Sequence, residues 1–294
     1  MTPSFPAPPA PLDQARLERG LLAPAGPWAR VTVVERTGST NADVAAAVVA
    51  EPAAWPDMSV LMTTHQDAGR GRLDRSWEIE PGAGLAISLV LRPTDASGRP
   101  LPTQTYSWLT LVAALALAES LGGPEGVTAT IKWPNDVLVH EKKVAGILAQ
   151  LAGTTDGTPP AVVLGCGINV TQELAALPVP TATSLAASGS RRLDTNDVAG
   201  AFLTAFAGHY RDFCDRSGDA TRAGETGTSL IRNISLWMDT LGRRVRVQLP
   251  DGSDLTGEAT ALAADGALQV IASDLAQHDI HAADIVHLRA EGTP

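Results

Sequence analysis

The chain has 294 residues, room for one large domain and a small one but past the size at which a single core keeps growing. A hydrophobic fraction of 44% excludes wholesale disorder, and a net charge of −10 (22 Lys and Arg against 32 Asp and Glu) opposes nucleic-acid phosphate unless a local basic element exists, which the N-terminus lacks. Two cysteines, Cys166 and Cys214, exclude a disulfide framework, and without a signal-like leader or a run of ~18 apolar residues a cytoplasmic protein that binds neither DNA nor membrane is expected.

Residues 1–29 carry Pro3, Pro6, Pro8, Pro9, Pro11, Pro24 and Pro27 and read as a flexible lead-in, in which only residues 12–22 have the pattern of a short amphipathic helix. The fold is expected to start at Arg30. Residues 31–35 form a short β-branched strand, and Ser39, Thr40 and Asn41 make an N-cap cluster that opens an Ala/Val helix to Ala50. Residues 60–64 are a second strand, followed by a polar loop over 66–76, and residues 85–91 are a third strand. Residues 106–121 read as a long Leu/Ala helix ending at Gly122-Gly123. Strands at 137–139, 144–151 and 162–170 then follow in close succession. Strands arriving in adjacent pairs predict an α+β fold with a mixed or antiparallel central sheet and packed helices, not strict βαβ winding. Residues 197–213 form an apolar-periodic helix, and a further helix precedes Ser235.

Beyond Leu241 the character changes. Strand patterns at 244–249, 255–262, 268–271 and 285–288, with turns at Pro250-Asp251-Gly252 and Ala264-Asp265-Gly266, fit a small barrel of five strands in about fifty residues. The expected organisation is therefore a catalytic unit over 30–236 and a C-terminal module over 237–294.

Three segments carry chemistry. In Gly69-Arg70-Gly71-Arg72-Leu73-Asp74-Arg75, three arginines in six positions are interleaved with glycines. Backbone N–H groups and guanidinium forks of this kind bind carboxylates or phosphates, although a solvated turn fits the same residues. The loop leaves an apolar strand and runs into Trp77, the placement of a flap over a ligand. In Lys132-Trp133-Pro134-Asn135-Asp136 an amide and a carboxylate follow a proline turn and can orient a phosphate-bound Mg²⁺, although on composition alone an ordinary turn is the better reading. Close by, Lys143 opens an apolar strand containing Gly146. The third segment, Gly165-Cys166-Gly167-Ile168-Asn169, lets backbone approach a ligand, but it lacks the third glycine of a dinucleotide fingerprint, and no phosphate loop exists elsewhere. Cys166 reads as an apolar filler and His65 as a loop-edge residue.

Together Gly38-Ser39-Thr40-Asn41, residues 66–72 with Trp77, residues 132–136, residues 143–147 and residues 165–169 resemble, in order and spacing, the biotin protein ligase family. The resemblance implies a class II synthetase-like catalytic domain with an SH3-like C-terminal barrel, biotin and ATP as substrates, Mg²⁺, and a biotin carboxyl carrier domain of acyl-CoA carboxylases as acceptor. It implies that Ser39, Thr40 and Gln66 hold the ureido ring of biotin, that Arg70, Gly71 and Arg72 form a flap over biotin and the adenylate, and that Asn41 and Gly69 also line the biotin site. Lys143 would stand between the biotin carboxylate and the α-phosphate, with Lys132 and Arg72 as further catalytic cations. Gly146, Gly165 and Gly167 would receive the valeryl chain. Arg75, Trp77, Asn135, Asp136 and Asn169 would meet the nucleotide, Asp136 also the metal, and Trp77 would anchor the flap. The glycine often found two residues after the flap's second arginine is Asp74 here. Some members carry an N-terminal helix-turn-helix and act as repressors; the Pro-rich lead-in predicts none here, and a monomer or weak homodimer. The competing readings are a lipoate or octanoate protein ligase, whose flap differs, a non-catalytic sensor of biotinyl-AMP, and a purely structural β-rich module.

Overall fold

The computed structural model describes residues 11–288 except 78, 154–158, 225–226, 250–251 and 282, and gives the backbone alone at Asp74 and Asp284. The first unit runs α1 (Gln14–Leu21), β1 (Arg30–Val33), α2 (Thr40–Ala50), β2 (Ser59–Thr63), β3 (Gly84–Leu91), α3 (Ser107–Ser120), β4 (Ala129–Lys132), β5 (Asp136–Val139), β6 (Lys142–Ala152), β7 (Ala161–Asn169), α4 (Thr195–Asp215) and α5 (Leu230–Trp237). Its seven strands form one sheet in the order β1-β2-β3-β7-β6-β5-β4. Only the β1–β2 pair is parallel, so the expected mixed sheet is what forms.

The two faces of this sheet are covered differently. Side chains alternate along a strand, so β7 sends Val162, Leu164, Cys166 and Ile168 to one side and Ala161 and Val163 to the other. The first set joins β3's Leu85, Ile87, Leu89 and Leu91 under α3 and α4. From Trp108 to Ala118 only Thr110 of α3 escapes full burial, as an apolar helix between sheet and second helix layer requires. On the opposite face α2 packs through Val44 and Val48, with Trp55 just after it, against Leu61, Val90 and Val163. Ser39 caps that helix by accepting from the Ala42 amide.

The short helix expected within residues 12–22 forms as α1, but the lead-in is corrected from a flexible segment to part of the packed fold. Asp13 caps α1, Leu17 and Leu21 are buried, and Trp28, with no exposed surface, stacks on Phe206 of α4 at 6.3 Å. The flanking prolines favour flexibility, but the i,i+4 leucine pair outweighs them because each buried leucine contributes about 2 kcal/mol. The part of that expectation concerning residues 1–10 lies outside the described residues. Strand β4, missing from the sequence reading, alternates buried and half-buried residues over only four positions, too few to show a period.

The second unit comprises β8 (Arg244–Gln248), β9 (Asp254–Leu262), β10 (Leu268–Ala272), β11 (Gln277–Ile280) and β12 (Asp284–His287), an antiparallel five-stranded sheet in the order β11-β10-β9-β8-β12. The fifth strand is β11, Gln-His-Asp-Ile, whose polar composition hid it. The turn joining β9 to β10 docks on the first unit: Trp108 Nε1 donates to Ala264 O (3.0 Å), Ser107 Oγ to Asp265 O (2.7 Å) and Trp133 Nε1 to Gly266 O (3.1 Å). No helix among the described residues is long and apolar enough to cross a membrane.

Candidate active site

The site forms where α2 leaves its face of the sheet uncovered. Past Val163, that face of β7 carries Gly165 and Gly167. In register with them stand Ser88 and Ala86 on β3, and Leu148 and Gly146 on β6. Removing side chains there makes a trough, and two neighbours enter it. A Cβ on Gly165 would lie 2.4 Å from Asn41 Oδ1, and one on Gly167 would lie 2.3 Å from Trp77 Nε1. The glycines expected to receive an acyl chain thus seat Asn41 and the Trp77 indole in this structure. Trp77 Nε1 is buried there and donates no hydrogen bond.

The segment before α2 and the loop after β2 are tied by backbone bonds, Asp67 N to Thr37 O and Ala68 N to Gly38 O. This brings Thr40 to Gln66, whose Oε1 accepts from the Thr40 amide (2.9 Å) and hydroxyl (3.2 Å). Asn41 Nδ2 donates to Leu148 O (3.2 Å). Ser88 Oγ lies 2.7 Å from Thr40 Oγ1 and 2.6 Å from Asn41 Oδ1, which links the two. Ser88 was not foreseen, although a lone polar residue in the apolar run of β3 was a signal in plain view. His65 pairs at the surface with Asp67 (3.3 Å), in keeping with a loop-edge role.

The arginine loop is a small hairpin. Gly71 N donates to Arg75 O (2.7 Å) and Trp77 N to Gly69 O (2.9 Å), and Arg70 pairs with Ser76. A side chain on Gly69 would strike the Trp77 carbonyl oxygen at 2.4 Å, so glycine is required for this approach. At the tip Leu73 adopts a left-handed conformation, φ 55°, and is 69% exposed. Between hairpin and α2 lies a cavity of about 400 Å³ lined by Ser39, Asn41, Arg70, Arg72, Leu148 and Gln150 among others.

Arg72 reaches away from that hairpin, donating to Asn135 Oδ1 (3.3 Å) and to Ala283 O of the second unit (3.2 Å). Asn135 is itself held by β6, its Nδ2 donating to Ile147 O (2.8 Å). Lys143 Nζ stands 2.6 Å from Asp136 Oδ1 and 5.4 Å from the Trp77 ring centroid. The contact with Asp136 is ionic, since no hydrogen bond of good angle reaches that oxygen. Lys132 ends β4 next to this cluster. Asn169 is almost fully buried: its amide donates to Thr183 O (2.9 Å) and its Oδ1 accepts from Gln172 (3.3 Å). It braces residues 181–185, which run beside Lys143 through Lys143 N to Thr181 O and Thr183 N to Lys143 O, each 2.8 Å. Of the two cysteines, Cys166 is buried with its thiol pushed up to about 12 by burial, consistent with a filler and not a nucleophile.

Residues scattered from 39 to 169 therefore meet on one glycine-lined face, with Arg72 and Lys143 beside it and Lys132 in register with Asp136 at its edge. The sequence matches the Biotin/lipoate A/B protein ligase family over residues 33–169 and the Biotin protein ligase C terminal domain over residues 240–288. It is 37% identical over 285 residues to the biotin–[acetyl-CoA-carboxylase] ligase of Mycobacterium tuberculosis, covering 95% of this chain and 97% of that protein. It is also 35% identical over 161 residues to the bifunctional ligase/repressor BirA of Bacillus subtilis, covering 54% of this chain and 47% of that one. A solved biotin protein ligase from Aquifex aeolicus, in complex with biotin and ATP, shares the fold with a TM-score of 0.68, over 89% of this chain and 99% of that chain, at 23% identity. With a relative of this identity along nearly its whole length, and with both domain matches in place, the chain belongs to the biotin protein ligase family.

Proposed function

We propose that this protein activates biotin with ATP to biotinyl-5'-AMP and transfers the biotinyl group to one lysine of a biotin carboxyl carrier domain of an acyl-CoA carboxylase. The observation that carries this reading is the convergence of Arg72, Lys143, Asn135 and Asp136 over the Gly146–Gly167 pair, from segments far apart in sequence.

The chemistry explains the need for these groups. A carboxylate is a poor acylating agent, so its oxygen must attack the α-phosphorus of ATP and expel pyrophosphate, giving a mixed anhydride. Two unit negative charges 4 Å apart repel by about 4 kcal/mol at the effective dielectric of a protein surface. One fixed charge-assisted donor offsets on the order of 3 kcal/mol, so a single cation does not suffice. Arg72, Lys132 and Lys143 supply three. Before substrate binds, Asp136 pairs with Lys143 at 2.6 Å and holds its Nζ beside Gly146, at the trough. A bound Mg²⁺ would add charge for the departing pyrophosphate. No group of three His, Cys, Asp or Glu able to hold a metal exists among the described residues, so Asp136 would hold it jointly with the nucleotide's phosphates. The anhydride is water-sensitive, and the hairpin over residues 69–77 is placed to exclude solvent from it. In the second step the neutral acceptor amine attacks the acyl carbon and AMP leaves.

The test is biotin-dependent exchange of labelled pyrophosphate into ATP, run beside octanoate and lipoate. Exchange with biotin alone is expected. Exchange driven by octanoate or lipoate instead would reassign the substrate, and exchange with none of them would end the ligase reading. Arg72→Gly, which removes the bond to Asn135, is expected to release the adenylate and label lysines indiscriminately; unchanged selectivity would refute the flap assignment.

A further inference from the structure

The turn that carries Asn135 and Asp136 is not held by its own domain alone. Trp133 N donates to Thr240 Oγ1 at 3.0 Å, and Thr240 is completely buried. Thr240 Oγ1 is in turn 3.1 Å from Nε2 of His287, on β12 of the C-terminal sheet. The other ring nitrogen, Nδ1, lies 3.6 Å from Asp239 Oδ2, a buried oxygen that accepts no hydrogen bond. The Thr240 oxygen accepts from the Trp133 amide and keeps both a proton and a second lone pair for His287 Nε2. The Asp239 carboxylate facing Nδ1 favours the tautomer with its proton on Nδ1, in which Nε2 accepts from the Thr240 hydroxyl. A neutral imidazole in this tautomer joins ring, hydroxyl and amide in one chain and turns its N–H toward the Asp239 carboxylate without reaching hydrogen-bond distance.

The charged groups around His287 agree. Burial first, and the Lys132 ammonium second, disfavour the imidazolium; Asp239 and Glu141 favour it, and Arg243 opposes it. The net result lowers His287 to about 4, so the ring is neutral where the enzyme works. Two more contacts anchor the same turn to the second unit: Asp239 N donates to Ile131 O (2.8 Å), and Trp133 Nε1 to Gly266 O.

We propose that His287 is a positioning residue for the nucleotide-handling turn: through Thr240 it fixes the Trp133 amide and thereby the placement of Lys132, Asn135 and Asp136. This rests on the ligase reading for what the turn handles. The C-terminal module then takes part in nucleotide capture without touching the nucleotide through this histidine. A tilt of the Trp133 peptide would move Lys132 on one side and Asn135, with Arg72 bonded to it, on the other. Biotin's expected contacts at residues 39–41 and 66 lie on other segments and would be undisturbed.

The experiment uses the full chain as wild type, His287→Ala and His287→Gln, the glutamine retaining an acceptor for the Thr240 hydroxyl. ATP affinity is measured by calorimetry with and without biotin, KM values for ATP and biotin by pyrophosphate exchange, and folding by thermal melting. His287→Ala is expected to weaken ATP binding and raise the ATP KM about tenfold, leaving the biotin KM unchanged, and His287→Gln to recover most of the loss. Unchanged ATP affinity in His287→Ala would overturn the inference. So would equal rises in both KM values tracking a lower melting temperature, which mark a merely structural role. If wild type is inert to biotin yet His287→Ala still weakens ATP binding, the ligase reading falls and the positioning role stands. Wild type that binds no ATP sinks both.

Discussion

One strand, β7, shows two regions built under opposite rules. Its inward residues Val162, Leu164, Cys166 and Ile168 fill the space beneath α3 and α4, and its outward residues Gly165 and Gly167 empty the space next to Trp77 and Asn41. The two sets interleave, so each glycine sits between two buried side chains. Burial on the packed face holds the strand rigid, and that rigidity lets the other face lose its side chains without collapsing. Stability and chemistry are thus separated by a period of two residues.

Substitutions on either side should keep that separation. The largest effect is expected from Phe206→Ala on α4, which stacks with Trp28 and Tyr210: a loss of about 3–5 kcal/mol in denaturant unfolding, with unchanged KM values for ATP and biotin. A shift in either KM would show that the faces are coupled. Next is Lys143→Ala, expected to cost on the order of 3 kcal/mol of transition-state stabilisation, a loss of roughly 100-fold or more in exchange rate, with its melting curve unmoved. A destabilised Lys143→Ala would mean its pairing with Asp136 supports the fold.

Gly167→Ala sits on the boundary. The new Cβ meets Trp77 at 2.3 Å, so the indole must leave the trough, and a stability cost of about 1–3 kcal/mol should accompany a loss of exchange. Retained exchange would show that Trp77 leaves the trough freely. A pH effect sharpens the picture at the domain junction. Since folding lowers His287 from 6.5 to about 4, the unfolded chain binds the proton more readily. Its contribution to stability is fully present above pH 6.5 and is lost as pH falls toward 4. Urea midpoints across that range should fall less steeply for His287→Gln than for wild type, and identical slopes would contradict the assigned environment. The smallest change is expected from Leu73→Gly at the exposed hairpin tip, where relief of the left-handed strain and the extra freedom of the unfolded glycine nearly cancel, within about 1 kcal/mol. A larger loss in thermal melting would reveal packing of the tip.

Much of the fold was legible because its signals are local. The caps at Ser39 and the Leu/Ala run of α3 announced their helices, and paired apolar runs from 137 to 170 announced an antiparallel sheet. The motif residues could be named and ordered, and the glycines at 146, 165 and 167 marked a close approach of something. Ser88 could have been added on the same grounds. What approached those glycines was not legible, because Trp77 and Asn41 are brought there by a hairpin and a helix whose positions depend on the whole sheet.

Composition and periodicity by themselves determined the α+β character, the change to short strands after Leu241, and which residues carry charge suited to two anionic substrates. Only the tertiary structure decided how those charges are aimed. Arg72 bonds to Ala283 across 211 positions, and Trp133 to Thr240 across 107. No pattern in the intervening residues encodes such pairs, because each bond forms between groups that the packing of α3 against the C-terminal turn has already brought within 3.2 Å. Local energies select helix or strand, whereas burial of the shared core selects which distant polar groups must find one another once water is excluded.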